Sequence, residues 1–257
     1  MATKKSADSG EVQIIEINTG TITLAVVGTT PLILNRLAEK ARRELLMPAP
    51  KKTAADKAAN LKHNPLEEFR SSPVQIRDED SPTLLAMPST AFKGSMRTAA
   101  LDLPGAKKSQ IGRLTYLPGE FVNIYGVPKI YSTIVRSADM NRTPDVRTRC
   151  IVPQWAAVLS ITFVKPIMRE QAIANLLAAA GITVGVGDFR PEKGAGNYGQ
   201  FEVVGIDDPR LKQIMDAGGR DAQIAAMKEP EAYDEDTEEL LSWFDVEVRR
   251  RGFKIAA

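Results

Sequence analysis

Two segments of the chain alternate apolar and polar residues with a period of two, the pattern of a strand that buries one face. These segments, residues 16–27 and 157–164, are predicted to be strands of a sheet. Their inward-facing side chains are Ile22, Leu24, Val26, Leu159, Ile161 and Phe163. Shorter strands are predicted near residues 83–87, 114–117, 120–125, 129–136 and 200–204.

Apolar residues spaced by three or four positions predict two helices that pack on such a sheet. Residues 90–101 place Phe92 and Met96 on one helix face. Ser89, just before them, is a good N-cap residue. Residues 170–180 are mostly apolar and predict a second buried helix. The order of these elements predicts an α+β fold, an RRM-like or ferredoxin-like antiparallel sheet with helices on one face.

Shifts in composition divide the chain into segments. Residues 1–15 are polar and predicted to be disordered. Residues 16–205 form the predicted RRM-like domain, interrupted by a helical insertion at 36–80 and by a protruding, arginine-rich hairpin at 134–150. Residues 206–257 are rich in glutamate and form a predicted acidic, helical C-terminal appendage.

The scarcity of cysteine and histidine excludes several kinds of site. Cys150 and His63 are the only residues of their types, which excludes an intramolecular disulfide, a zinc finger and a histidine dyad. We therefore expect no metal and no cofactor.

No apolar run is long enough to span a membrane, and no apolar stretch follows the N-terminal residues to act as a signal peptide. These features predict a soluble, cytoplasmic protein without a membrane partner.

Charge is segregated along the chain, although 34 basic and 32 acidic residues nearly cancel. Residues 207–247 hold 13 acidic and 4 basic residues, a net charge of −9, whereas residues 1–206 carry +7. A basic body with an acidic C-terminal part indicates a polyanionic partner for the body. The charge balance leaves open the alternative of a solvated surface with an acidic C-terminal helix.

A glycine-rich segment lies at residues 185–199, and residues 194–199 read G-A-G-N-Y-G, which matches the dinucleotide fingerprint G-x-G-x-x-G. That fingerprint needs a strand before it and a helix after it, whereas here a helix precedes it and a strand follows. We therefore interpret the segment as a loop whose backbone approaches another molecule closely, with Arg190 and Lys193 beside it. A long hairpin loop without a ligand is the alternative.

Basic residues recur in two further segments. Lys93 and Arg97 lie one turn apart on the first predicted helix, and Gly94 between them indicates a close approach. Two cations near a helix start suit a phosphate backbone. The hairpin at 134–150 carries four arginines and an apolar Met140 that could wedge between bases. The alternatives are an exposed helix face and a solvated hairpin.

Three of these segments together resemble a known family. Residues 87–97, which read M-P-S-T-A-F-K-G-S-M-R, resemble the I-P-G-S-S-L-K-G-x-x-R segment of the RAMP superfamily, the RRM-like proteins of CRISPR effector complexes. Residues 185–199 resemble the C-terminal glycine-rich loop of that superfamily. The arginine-rich hairpin lies between them, where backbone-type members carry a thumb. The resemblance covers residues 16–204.

The resemblance implies a sheet-and-thumb protein that polymerises along a guide RNA, with the thumb kinking the strand and the helix holding phosphates. Two departures from the family pattern are evident. Pro88 is followed directly by Ser89, one residue short of the family's Pro-Gly-Ser-Ser, so we expect a different turn before the helix. Some members cleave RNA with an aspartate after the first strand, whereas residues 29–36 contain none.

We therefore expect a protein without catalytic residues that binds single-stranded RNA, or single-stranded DNA, as a homo-oligomer along the strand and with other effector-complex subunits. The expected nucleic-acid-binding residues are Lys93, Arg97, Arg136, Arg142, Arg147, Arg149, Arg190, Lys193 and Tyr198. The expected close-approach glycines are Gly94, Gly185, Gly187, Gly194, Gly196 and Gly199. Three alternatives stay open: a stand-alone phage-encoded relative that coats single-stranded DNA or inhibits CRISPR complexes, a metal-dependent RNA endonuclease, and an assembly protein whose basic loops contact neighbouring acidic tails.

Overall fold

The computed structural model describes residues 16–36, 42, 45–47, 61–136, 144–193 and 196–253. The strands in this part of the chain are β1 (Asn18–Gly28), β2 (Leu32–Leu34), β3 (Val74–Gln75), β4 (Leu85–Pro88), β5 (Thr115–Tyr116), β6 (Phe121–Asn123), β7 (Lys129–Arg136), β8 (Pro144–Val152), β9 (Ala156–Lys165) and β10 (Phe201–Val204). Its helices are α1 (Pro65–Ser71), α2 (Ser89–Ala99), α3 (Lys108–Leu114), α4 (Glu170–Thr183), α5 (Pro209–Ala217), α6 (Arg220–Lys228) and α7 (Glu235–Arg251). None of these helices is both long and apolar enough to cross a membrane. The predicted disorder at residues 1–15 lies outside the described residues.

An antiparallel sheet of four strands, in the order β10-β1-β9-β5, forms the centre of the fold. β1 pairs with β9 along residues 18–27 and with the shorter β10 at residues 25–28. Two three-stranded sheets accompany it, in the orders β2-β8-β7 and β3-β4-β6. The antiparallel pairing and the helices that pack on it confirm the predicted α+β fold.

Helices α2 and α4 pack on each other, and α4 packs on β1 and β10. Phe92 and Met96 of α2 are fully buried in one apolar cluster with the predicted inward-facing residues of β1 and β9. The opposite face of the sheet is partly covered by α5, whose Leu211 packs against Ala25 and Val27. Strand alternation therefore predicted correctly which side chains face the main core.

The start of α2 differs from the prediction. Pro88 precedes the helix, and Ser89 is its first residue. Ser89 is therefore not an N-cap, and no other side chain caps the helix. The cause is β4, which continues to Pro88 and pairs there with Phe121, so that the chain passes directly from strand into helix.

Part of the predicted insertion belongs to the core. α1 packs against β8, and Phe69 of α1 is fully buried in the main apolar cluster. The Asn64 side chain caps this helix through a hydrogen bond to the backbone. The interpretation of residues 36–80 as an insertion outside the core is therefore wrong for residues 65–71. Residues 37–41, 43–44 and 48–60 of that segment lie outside the described residues.

β7 and β8 form the predicted hairpin and pair along all of β7. Its tip, residues 137–143 with Met140 and Arg142, lies outside the described residues. The hairpin predicted at residues 134–150 does not protrude along its whole length, because residues 148–152 are buried. Their burial follows from the position of β8, which lies between β2 and β7 and packs against α1.

The acidic C-terminal segment is helical, as predicted, but it is not an appendage. Gln223 of α6 is fully buried, and its side chain bonds to five backbone groups at 2.8–3.0 Å. These partners are the N–H groups of Leu84 and Leu85 and the carbonyl oxygens of Ile124, Gly126 and Gly218. Ala232 also forms a β-bridge with Ile130 of β7. The C-terminal helices thus complete the fold, since Gln223 supplies hydrogen bonds to buried backbone groups such as the Leu85 N–H and the Ile124 carbonyl oxygen.

Candidate nucleic-acid interface

The start of α2 has the properties of an anion site. No acidic residue lies in its first turn and no side chain caps it, so the positive end of the helix dipole is not neutralised within the helix. The Ser89 N–H donates a hydrogen bond to the Glu120 carbonyl oxygen at 2.9 Å. The Ser89 hydroxyl is buried and has no hydrogen-bond partner in the described part of the chain. A phosphate or carboxylate oxygen would suit this helix start.

Two grooves meet at the helix start, and Pro88 lines both of them. The loop groove, of about 340 Å³, lies between the end of β2, the glycine loop (residues 185–199) and α2. Its charged lining residues are Arg36, Asp188, Arg190 and Lys193. The aromatic groove, of about 350 Å³, lies on the other side of the helix start. Its polar and aromatic lining residues are Ser89, Thr90, Lys93, Tyr116, Glu120 and Phe121.

The two predicted cations of the glycine loop differ in their surroundings. Arg190 donates two hydrogen bonds to Glu192 and one to the Gly187 carbonyl oxygen, so its guanidinium holds the loop together. Lys193 is exposed and forms no ion pair with any residue that the structure describes. Lys193 is therefore the cation of this loop that a phosphate can reach without breaking a contact.

Lys93 and Arg97 lie on the flank of α2 that faces the aromatic groove and α3. Lys93 lines the aromatic groove, whereas Arg97 is exposed and lies against Gly112 of α3. On the opposite flank, the Thr98 hydroxyl contacts Glu192 of the glycine loop at 3.5 Å. The predicted helix and loop cations therefore lie on different sides of α2, and the helix start is the surface that the two sides share.

The close approach predicted for the loop glycines is made by the protein's own chain. Gly187 has a φ of +82°, and a Cβ atom there would clash with the Ile33 carbonyl oxygen. Neighbouring chain atoms confine the other described loop glycines in the same way, namely Gly185, Gly196 and Gly199. Gly94 differs, because no described atom outside its own stretch of helix lies within 4 Å of the place where its side chain would begin. Gly194 lies outside the described residues.

Arg149 is not a surface residue of the hairpin, contrary to the prediction. Its guanidinium is buried, lies 4.8 Å from the centre of the Phe189 ring and pairs with Asp188 at 3.2 Å. Burial lowers the pKa of Arg149, and the charge of Asp188 opposes that shift. The cause is that β8 passes close to the glycine loop at this point. Arg136 and Arg147 are exposed, so these are the described hairpin arginines that a strand can contact.

Tyr198 belongs to a cluster of three tyrosines. Its hydroxyl lies 3.5 Å from that of Tyr131, whose ring meets the ring of Tyr233 edge-on at 5.4 Å. The contact with Tyr131, followed by burial, raises the pKa of Tyr198. The cluster joins the glycine loop, β7 and the segment before α7, which gives Tyr198 a structural role besides the predicted one.

His63 has contacts that the sequence analysis did not predict. Its Nδ1 lies 2.6 Å from Glu68, and its Nε2 lies 2.9 Å from Asp145, which is near the tip end of the hairpin. Lys62 also bonds to Asp145, at 2.6 Å. The Lys62 hydrogen bond lowers the pKa of Asp145, helped by His63 and opposed by burial. No local pattern reveals these contacts, because His63 and Asp145 are 82 residues apart.

We expect Asp145→Asn to destabilise the protein at neutral pH and to have a smaller effect in acid. The depressed pKa of Asp145 means that its contribution is present above the unfolded-state pKa of about 3.9 and is lost as the pH falls through the folded-state value. The loss in unfolding free energy, below about 1 kcal/mol at neutral pH, should shrink between about pH 5 and pH 3. Urea denaturation across this range measures it, with the exposed Asp102→Asn as the control. A loss that does not change with pH contradicts the ion-pair role.

No group of three or more histidine, cysteine, aspartate or glutamate side chains that could hold a metal ion is found among the described residues. No family model matches the chain, and neither does any curated protein. Among solved structures, the chain is similar to the crystal structure of Cmr6 from Pyrococcus furiosus, with 10% identical residues and a TM-score of 0.38. The match covers 73% of this chain and 98% of that chain. At this identity and TM-score the likeness carries no argument about function.

Proposed function

We propose that the protein binds single-stranded RNA along its phosphate backbone, as a non-catalytic, cytoplasmic subunit of a CRISPR-type ribonucleoprotein. The observation that carries the proposal is the uncapped start of α2, which lies between two grooves that each contain a lysine. The backbone N–H groups and the dipole of a helix start favour a phosphate. Lys93 and Lys193 add positive charge on either side of it.

The form of the grooves favours a single strand. Each groove is of a size that suits a small-molecule ligand, such as one nucleotide, rather than a base-paired duplex. Tyr116 and Phe121 are exposed beside Lys93, and exposed rings beside cations are typical of single-strand binding, because every base has a face that can stack. Contacts to phosphates position a strand without reading its sequence, so we expect little sequence preference from Lys93 and Lys193.

Two further features support the proposal. Residues 87–97 resemble the RAMP segment whose helix holds guide-RNA phosphates. Arg136 and Arg147 are exposed on the hairpin that corresponds to the thumb of that family. In this proposal, successive copies of the chain line up along one strand, and other effector-complex subunits bind at its ends.

Salt is expected to weaken binding steeply. A protein that neutralises about four phosphates of a single strand should give a slope of about −3 when the logarithm of the binding constant is plotted against the logarithm of the salt concentration. Fluorescence anisotropy of a labelled RNA of mixed sequence, titrated at increasing KCl, measures this slope. A slope near zero contradicts phosphate binding and with it the proposed function.

The same preparation distinguishes the alternative functions. Stronger binding to single-stranded DNA than to RNA of the same sequence favours a DNA-coating protein of phage type. Cleavage of the RNA that requires Mg²⁺ and stops on chelation replaces the proposal with an RNA endonuclease. If the protein binds neither RNA nor DNA and its oligomers keep their size after nuclease treatment, the results favour an assembly protein whose basic loops contact neighbouring acidic tails.

A further inference from the structure

The aromatic groove has an apolar wall that phosphate contacts do not use. Tyr116 and Phe121 both line it, and they are 47% and 40% exposed. Neither ring packs against another aromatic ring among the described residues. Two exposed rings that border one groove offer a surface on which a flat ligand can stack.

The backbone holds these rings beside the helix start. Tyr116 ends β5 and Phe121 begins β6, and the turn between them contains Gly119 with a φ of +86°. Phe121 pairs with Pro88 in the sheet, and Pro88 directly precedes α2. Strand pairing therefore fixes the position of Phe121 relative to the helix start, and the pairing of Tyr116 with Thr162 of β9 holds the second ring.

The helix side of the groove has an unsatisfied donor. Ser89 is only 5% exposed, and its hydroxyl has no hydrogen-bond partner in the part of the chain that the structure describes. A buried hydroxyl without a partner is unfavourable, so a ligand oxygen that accepts its hydrogen bond gains affinity. Lys93, one turn further along α2, lines the same groove and supplies the charge for an anionic ligand.

We propose that the aromatic groove binds one nucleotide of the bound strand, with its base stacked on Tyr116 and Phe121 and its phosphate at the start of α2. This inference rests on the proposed function and adds a base-contacting site to it. Glu120 also lines the groove. Its carboxylate only accepts hydrogen bonds, so it suits a base edge that presents an N–H donor, such as the amino group of cytosine or the N3–H of uracil.

The test compares an intact RNA with a matched abasic strand, which keeps the phosphates and lacks the bases. Tyr116→Leu with Phe121→Leu removes both rings and keeps apolar side chains in their place. This variant should bind the intact strand roughly 5- to 100-fold more weakly than the wild type does, and the abasic strand equally well. Trp243→Leu, which removes a 58% exposed ring from α7, is the matched control and should change neither affinity.

A second measurement on the wild-type protein does not depend on folding of the variant. RNA that carries 5-iodocytidine, irradiated in the complex, should crosslink to the peptide that contains Tyr116 or Phe121. The nucleotide site is overturned if the double variant loses affinity equally for the intact and the abasic strand. It is also overturned if the crosslinks reach only other peptides. Either result leaves phosphate binding intact. A wild-type protein that binds neither strand overturns the proposed function as well, so the two failures are distinguishable.

Discussion

Gln223→Ala is expected to lower the free energy of unfolding by about 3–5 kcal/mol. The fully buried Gln223 side chain accepts hydrogen bonds from two backbone N–H groups and donates to three backbone carbonyl oxygens. Alanine removes this partner from the Leu84 and Leu85 N–H groups and from the Ile124 and Gly126 carbonyl oxygens, whereas the Gly218 carbonyl oxygen keeps its hydrogen bond from the Gly126 N–H. Each buried group left unpaired costs about 1–3 kcal/mol before the chain relaxes. Urea or guanidinium denaturation followed by circular dichroism measures the change.

Gln213→Ala is the matched control for this prediction, because the same side chain is removed from an exposed position on α5. Its effect should stay within about 0.5 kcal/mol. Equal effects of the two substitutions would show that α6 does not hold the fold together.

Truncation after Gly205 removes Gln223 and the β-bridge of Ala232, so it should unfold the protein rather than uncover a basic surface.

The double variant Lys93→Ala, Lys193→Ala is expected to bind single-stranded RNA about 25-fold more weakly at about 0.1 M salt, with the loss disappearing near 1 M. The two lysines lie on opposite flanks of the α2 start, one in each groove. Each phosphate contact adds about −0.7 to the slope, which corresponds to about fivefold in affinity for each tenfold dilution of salt. The slope itself should therefore become shallower by about 1.4. Anisotropy titrations at several KCl concentrations provide both quantities.

Lys107→Ala with Lys108→Ala removes the same charge from two exposed lysines that line neither groove, and serves as the control. This pair should leave the affinity nearly unchanged. Both double variants should unfold within about 0.5 kcal/mol of the wild type, because surface substitutions rarely cost more. An equal loss of affinity in the two would mean that net charge rather than the α2 start determines binding.

The central sheet could be predicted from the sequence because β1 and β9 carry apolar residues at alternate positions. Leu159, Ile161 and Phe163 are fully buried at every second position of β9, and α2 buries Phe92 and Met96 at the spacing of one turn. α3 was missed because it buries little besides Ile111, which leaves no periodic pattern to read. The C-terminal helices were misplaced because the residue that anchors them, Gln223, is polar and looks like a surface residue.

The candidate site was predicted in part for the same physical reasons. Lys93 and Lys193 could be found because both cations lie next to recognisable sequence features. Arg149 could not be told apart from its exposed neighbours, because its burial depends on Asp188 and Phe189 of a loop distant in sequence. Tyr116 and Phe121 were not singled out, since only the pairing of Phe121 with Pro88 and the turn that joins β5 to β6 bring them beside the start of α2.

β1 is synthesised early and paired late. It ends at residue 28, whereas its partners β9 and β10 begin at residues 156 and 201. At the usual 5–20 residues per second, a ribosome needs on the order of 10 s to reach β9 after completing β1. Throughout that time β1 presents two unpaired edges, which are templates for pairing with other nascent chains. We therefore expect slow translation initiation, which spaces ribosomes further apart on the messenger, to raise the yield of correctly assembled protein.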